Sequence, residues 1–403
     1  MGDWVTEQQE QGWDFTSKSV CTQCVDDEAL KAVLAADEDT EVVCDFCSNS
    51  PAAPFDTLME AFVNGLRTEY GTADNEGVYW DGREGGYQWN RIVDSHDLVE
   101  QFGSDVLTGD GLLQAVQGTM HDAAWVEVDF VALREDEALA LSWEQFCTTV
   151  KHHMRYVIWL SDADDEQQWF EPGEIPPSRI LQTIGWLIDR LGLVRTLPAG
   201  YQLYRARTHG SDKVPTGATE LGTAPVEYAK QANRMSPAGI PMFYGAETEA
   251  TAIREVAVRS QDTHVTVGAF AASAAWTVVD FTQLPAIPSM FDPEWGRMRR
   301  SLIFLHDFRE QLSKPARSTY EQIDYVPTQI VTEYLLRILG SGRSINGLLY
   351  VSALTGQTCA VLDVPADGCV EQNRGWADGG MLRLGLVPGS LKTRVLIADD
   401  TAV

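Results

Sequence analysis

Four of the seven cysteines fall within one stretch, Cys21 and Cys24 in CTQC and Cys44 and Cys47 in CDFC, with nineteen residues between the pairs. A C-x-x-C turn carries two thiolates on one side, and two such turns complete the tetrahedral four-sulfur shell that zinc favours. With protein sulfur at every position the metal is structural, so residues 1–50 read as a zinc-knuckle segment. Two disulfides would need an oxidising compartment, which nothing in the sequence indicates. An iron–sulfur cluster is the remaining alternative. Cys147, Cys359 and Cys369 have no such spacing and read as small buried or half-buried side chains.

The formal net charge of the 403 residues is -29, and it is unevenly spread. Residues 1–200 carry 38 acidic and 11 basic side chains, against 21 and 19 in residues 201–403. A change that sharp at one point implies two parts with different tasks. An acidic front half repels a phosphate backbone, which argues against a nucleic-acid partner. The start, MGDWVTEQQEQGW, has no basic stretch followed by an apolar one, and no later apolar run approaches the roughly 20 residues of a membrane span. A cytoplasmic protein with no membrane partner is expected.

Apolar residues at Phe55, Leu58, Met59, Phe62 and Leu66 repeat at helical spacing, as do those at 143–160 and at Ile180, Leu181, Ile184, Leu187, Ile188 and Leu191. Residues 51–196 therefore read as an acidic helical domain. GVYWDGREGGYQW and the acidic run SDADDEQQ read as exposed loops within it. Beyond LPAG at 197–200, taken as a hinge, come short β-rich runs: YQLYRAR, PMFYGA, THVTVGAFAA, WTVVDFT, GLLYVSAL, TCAVLDV and TRVLIA. Helical patterns interrupt them at 248–258 and 328–339. Clustered strands with few helices between them predict an α+β domain with a largely antiparallel sheet over residues 197–403.

Four polar residues stand out in this second half: Arg205 in LYRAR, Tyr244 in MFYGA, Glu255 on the following helical segment and Ser352 in LLYVSAL. The segments LYRAR, NRMSPAGIPMFYGAETEATAIREV, YVPTQIVTEYLL and INGLLYVSALTGQTCAVL, in this order, resemble the RES domain from about residue 201 to about 365. The CxxC pairs, EGGYQ and VKHHMRYVIWL of the front half resemble the HEPN/RES N-terminal domain. The first resemblance implies a fold related to ADP-ribosyltransferases and an enzyme that degrades NAD by phosphorolysis or hydrolysis, often as the toxin of a toxin–antitoxin pair or in a defence role such as phage defence.

Carried over by position, the family's arginine, tyrosine, glutamate and serine fall on Arg205, Tyr244, Glu255 and Ser352. Arg207 is the alternative for the arginine, and Arg234 is a candidate second phosphate contact. The chemistry suits these side chains. Nicotinamide departs neutral, so the leaving group needs no acid, while a carboxylate can stabilise the cationic ribose, as in glycoside cleavage. Arginine grips a diphosphate through charge-assisted hydrogen bonds. Tyr244 can present its ring to the cationic nicotinamide, and Ser352 can position the carboxamide or a ribose hydroxyl.

Water, phosphate as co-substrate or a macromolecule could accept the ribosyl group, the last making the chain an ADP-ribosyltransferase. A third reading makes the front half an RNA-cutting or RNA-binding module, the cutting through Arg91 and His96, an R-x4-H spacing that arises readily by chance. Control by an inhibitor protein, or by self-association through the acidic half, is expected. No glycine-rich phosphate loop supports hydride transfer.

Overall fold

The computed structural model describes residues 11–160, 172–258, 260–314, 320–339, 342, 344–373 and 382–401. They form two compact units. One comprises the described residues through Glu135 with 172–173 and 286–303. The other comprises the remaining described residues from 136 to 285 and those from 304 onward. Among the described residues no helix is long and apolar enough to cross a membrane.

In the first unit, α1 (Glu28–Ala35) is capped by the Asp27 carboxylate, which accepts from the N–H groups of Ala29 and Leu30. The helix α2 (Phe55–Leu66) has the bounds its periodicity predicts and buries Phe55, Leu58, Met59, Phe62 and Leu66. With α3 (Ser95–Gly103) and α4 (Leu112–Thr119) it surrounds one apolar core. Met290 and Phe291 complete that core; Phe291 stacks on Phe62 with ring centroids 4.8 Å apart. The GVYWDGREGGYQW segment contains a short hairpin, Trp80–Asp81 with Gly86–Tyr87, whose turn uses Gly85 at φ 84°.

The second unit opens with α5 (Glu135–His152), which begins earlier and ends sooner than the 143–160 pattern implied. Arg155 Nε donates to the Val150 carbonyl at this helix end. The SDADDEQQ run lies outside the described residues. The helix α6 (Ile180–Arg190) leads into a ten-stranded, largely antiparallel sheet, so the unit is mixed α+β. Its strands are β1 (Val194–Leu197), β2 (Gln202–His209), β3 (Phe243–Ala246), β4 (His264–Ala272), β5 (Trp276–Asp280), β6 (Gly347–Val351), β7 (Thr358–Leu362), β8 (Cys369–Glu371), β9 (Leu384–Leu386) and β10 (Lys392–Val395). They run in the order β8-β9-β4-β2-β3-β7-β6-β5-β1, with β10 also paired to β4. Only β5–β6 and β8–β9 are parallel.

The LPAG segment joins β1 to β2 of this one sheet, with the Gly200 N–H bonded to the Ala272 carbonyl, so it is a connection inside the sheet and not a hinge. The helix α7 (Glu249–Ala257) packs on the sheet, and α8 (Val326–Glu333) continues as a π-helical stretch over Tyr334–Leu339.

Candidate active site

The sheet is zipped tightly on either side of one gap. The strands β2 and β4 are in register over eight pairs, and β3 and β7 over four, but β2 and β3 meet only at Tyr204–Ala246. Beyond that pair the ladder is interrupted, and a side chain substitutes for it: Arg205 Nη1 donates to the Tyr244 carbonyl at 2.8 Å. Its Nε donates to the Leu221 carbonyl at 2.7 Å, and the guanidinium lies 5.1 Å from the Phe243 ring centroid. Desolvation, with a smaller contribution from the like charge of Arg207, draws the Arg205 pKa down to about 10, which leaves it cationic at neutral pH. Among the described residues no carboxylate pairs with Arg205, and its Nη2 has no hydrogen-bond partner. A desolvated charge is ordinarily neutralised. Here two backbone carbonyls take N–H donors of the guanidinium in place of a carboxylate.

A cleft of about 630 Å³ opens at this gap, lined by Arg205, Arg207, Tyr244, Glu255 and neighbouring residues. Tyr244 is half-buried. Its hydroxyl accepts from the Met235 N–H at 3.2 Å and shares a hydrogen bond with Ser236 Oγ at 3.0 Å. Burial pushes its phenol up to about 12, so it is neutral, and the residue borders the cleft. The NRMSPAG segment that meets Tyr244 is itself pinned by α8: Gln329 Nε2 donates to the Asn233 carbonyl at 2.8 Å, and the Thr328 hydroxyl bonds the Arg234 carbonyl.

Glu255 stands on α7, whose start is capped by the Thr248 hydroxyl accepting from the Thr251 N–H. Its Oε1 accepts a hydrogen bond from Ser352 Oγ. Ser352 is buried just after β6, and its oxygen in turn accepts from the N–H groups of Leu354 at 3.1 Å and Thr355 at 3.2 Å. The hydroxyl proton is thereby spent on Glu255 and none remains for a nicotinamide or ribose contact. Ser352 does not line the cleft; it positions Glu255. The Glu255 Oε2 has no partner among the described residues.

Arg207 lies two residues beyond Arg205 on β2, is exposed, and donates to the Glu220 carbonyl at 2.7 Å while bordering the cleft. Arg234 differs from its expectation as a phosphate contact. Its guanidinium donates to the Ser313 carbonyl, and it is not among the cleft-lining residues. Arg91 and His96 are both exposed and line no described cavity; His96 lies 3.8 Å from Asp97. Two lining residues gave no signal of chemistry in the sequence. Cys359 Sγ sits 3.9 Å from Glu255 Oε1, its thiol pushed up to about 12 chiefly by burial and then by the Glu255 charge. Tyr350 is buried on β6, two residues before Ser352.

In the first unit the Sγ atoms of Cys21, Cys24, Cys44 and Cys47 all lie within 4.8 Å of one another. Cys21 and Cys24 are 3.8 Å apart and Cys24 and Cys44 3.7 Å. Four sulfurs about 2.3 Å from a tetrahedral zinc are themselves about 3.8 Å apart. The cluster therefore fits a zinc ion. Without a cation, burial and the neighbouring sulfurs hold the Cys21 thiol up at about 11 and Cys24 higher still. The first knuckle is gripped from outside, since the Thr108 and Gly109 N–H groups both donate to the Cys24 carbonyl at 2.9 Å. A Cβ on Gly109 would stand 2.8 Å from that of Cys24.

Comparison with known proteins accounts for much of the chain. The family model HEPN/RES N-terminal domain 1 matches residues 37–164, and the RES domain model matches residues 202–378. No curated protein and no solved structure gives a significant match. Arg205, Tyr244, Glu255 and Ser352 all lie inside the RES match. The two matches stand in the order that the sequence resemblances predict, an HEPN/RES N-terminal domain 1 match ahead of a RES domain match.

Proposed function

We propose that the cleft cleaves the nicotinamide–ribose bond of NAD. The observation that carries this reading is one cleft bordered by a half-buried guanidinium, Arg205, and a carboxylate, Glu255, with one oxygen pinned; among the described residues the first has no carboxylate partner and the other oxygen of the second has none. A dinucleotide has the matching features, an anionic diphosphate and a ribose that becomes cationic as its glycosidic bond breaks.

Arg205, with Arg207 two residues on, holds the diphosphate and so fixes the reach of the nicotinamide ribose. The free oxygen of Glu255 stabilises positive charge as the C1′–N bond breaks and its electron pair returns to the nicotinamide nitrogen. An oxygen of water or of phosphate then bonds to C1′ and gives up its proton to solvent, leaving ADP-ribose or its 1″-phosphate. The Tyr244 ring orients the nicotinamide, and Ser352 keeps Glu255 in one rotamer. Consumption of NAD in this way would arrest growth, which supports a toxin or defence role with the N-terminal half regulatory. The four-cysteine cluster, loaded with zinc, would serve as a structural clamp in that half.

Incubating the purified full-length protein with NAD and identifying products by mass spectrometry tests the reading. Nicotinamide with ADP-ribose denotes hydrolysis. Nicotinamide with ADP-ribose 1″-phosphate, formed only when phosphate is added, denotes phosphorolysis. A folded, zinc-loaded sample that releases no nicotinamide under either condition would remove the proposal.

A further inference from the structure

The charge around the cleft bears on which dinucleotide it takes. Among the lining residues the cations are Arg205, Arg207 and Lys230, and the only carboxylate is Glu255. In doubly wound dinucleotide folds, sites that reject a 2′-phosphate place an acidic side chain on the adenosine ribose and sites that accept it set a cation there; the same charge logic applies to any cleft that holds that ribose. Glu255 has one oxygen taken by Ser352 and, in the reading above, the other committed to the nicotinamide ribose. Among the described residues no second carboxylate lines the cleft to exclude a 2′-phosphate.

The loop after β2 supplies what an adenosine end would use. Tyr228 borders the cleft with 72% of its surface exposed, leaving a ring face open to a base. Lys230, two residues on, is exposed and has no ion pair among the described residues. The loop is closed on itself by the Lys230 N–H to the Tyr228 carbonyl at 2.9 Å and the Gly239 N–H to the Ala229 carbonyl at 2.8 Å, which fixes the backbone from which both cleft-lining side chains extend.

We infer that the cleft accepts the 2′-phosphorylated dinucleotide NADP as a substrate alongside NAD, with Lys230 as the partner of the 2′-phosphate. This rests on the function proposed above. The bond changes are the same: the C1′–N bond of the nicotinamide ribose breaks, its electron pair passes to nicotinamide, and an oxygen of water or phosphate bonds C1′ and releases a proton. The 2′-phosphate stays on the ADP-ribosyl product.

The test is nicotinamide release by the full-length protein from NAD and NADP in parallel, each as kcat/KM, for wild type and Lys230→Glu. Wild-type values within about tenfold of each other are expected, and the NADP-to-NAD ratio should fall by about tenfold or more in Lys230→Glu, the scale of one like-charge contact. Cleavage of NAD with NADP untouched overturns the inference and leaves the NAD reading standing. Equal loss on both substrates in Lys230→Glu overturns the assignment of Lys230. Absence of release from either dinucleotide removes the underlying reading, and this inference with it.

Discussion

Ser352 donates its one proton to Glu255 and accepts two backbone N–H groups, so its removal has two separable effects. A hydrogen bond to a charged group contributes about 1.5–3 kcal/mol. Ser352→Ala should therefore lower kcat by about 10- to 100-fold with KM little changed, because Glu255 loses its fixed rotamer while the diphosphate grip remains. Ser352→Thr, which keeps the hydroxyl, should recover part of the rate; steady-state kinetics on both variants, with melting curves to exclude unfolding, checks this. Burial pushes the Tyr244 phenol up to about 12, so it stays neutral through about pH 10; a pH–rate profile should show no alkaline limb from this residue below that pH, and Tyr244→Phe should leave the profile's shape there unchanged. Arg205, Tyr244, Glu255 and Ser352 were singled out by their order within segments that resemble the RES domain, since each alone reads as an ordinary surface or core residue. Only the fold shows that the Ser352 proton goes to Glu255. Cys359 and Tyr350 sit on β-rich runs where such side chains read as core, and nothing local distinguishes a core face from a cleft wall.

At the scale of elements, α8 acts on the cleft through the loop that it holds. Gln329 and Thr328 fix the Asn233–Ser236 turn, and that turn supplies both hydrogen bonds to the Tyr244 hydroxyl. Gln329→Ala should raise KM for NAD several-fold with a smaller loss in kcat, as a loosened tyrosine orients the substrate less well. The cysteine knuckles answer to a different test. One zinc per chain is expected by elemental analysis, and Cys24→Ser or treatment with a strong chelator should lose the metal and markedly lower the melting temperature, as expected where metal binding contributes to folding. The strand runs were legible from their β-branched and aromatic composition, and the sheet contains a strand at each of the seven. Cys369–Glu371 and Leu384–Leu386 were not, because three residues are too few to establish alternation. The helix Arg299–Ser313 carries Leu302, Leu305, Phe308 and Leu312 at helical spacing, a pattern the sequence reading passed over.

For the whole molecule, sequence order and packing disagree in one place. Residues 286–303 lie inside the RES match, yet they pack into the first unit, where Phe291 stacks on Phe62 and Arg300 pairs with Glu69. No pattern in the sequence announces this, because burial of Met290 and Phe291 depends on which distant helix they meet. A fragment lacking residues 1–195 would expose both side chains, so it should aggregate or melt early, and replacing Met290 and Phe291 with polar residues should restore its solubility. In the intact chain Phe291→Ala should cost about 3–5 kcal/mol of stability, the usual range for emptying such a site, read by chemical denaturation. The acidic front half and nearly neutral rear half were legible from charge alone, whereas the cleft depends on strands β2 and β3 parting after a single pair. That parting brings Arg205 and Glu255 to one cavity, and the account depends on the two acting together on NAD. The most direct measurement is nicotinamide release from NAD by wild type and by Glu255→Gln, each shown to be folded and equally metal-loaded. The account predicts steady release by wild type and a loss of at least about 100-fold in the variant; release at the same rate by both proteins would contradict it.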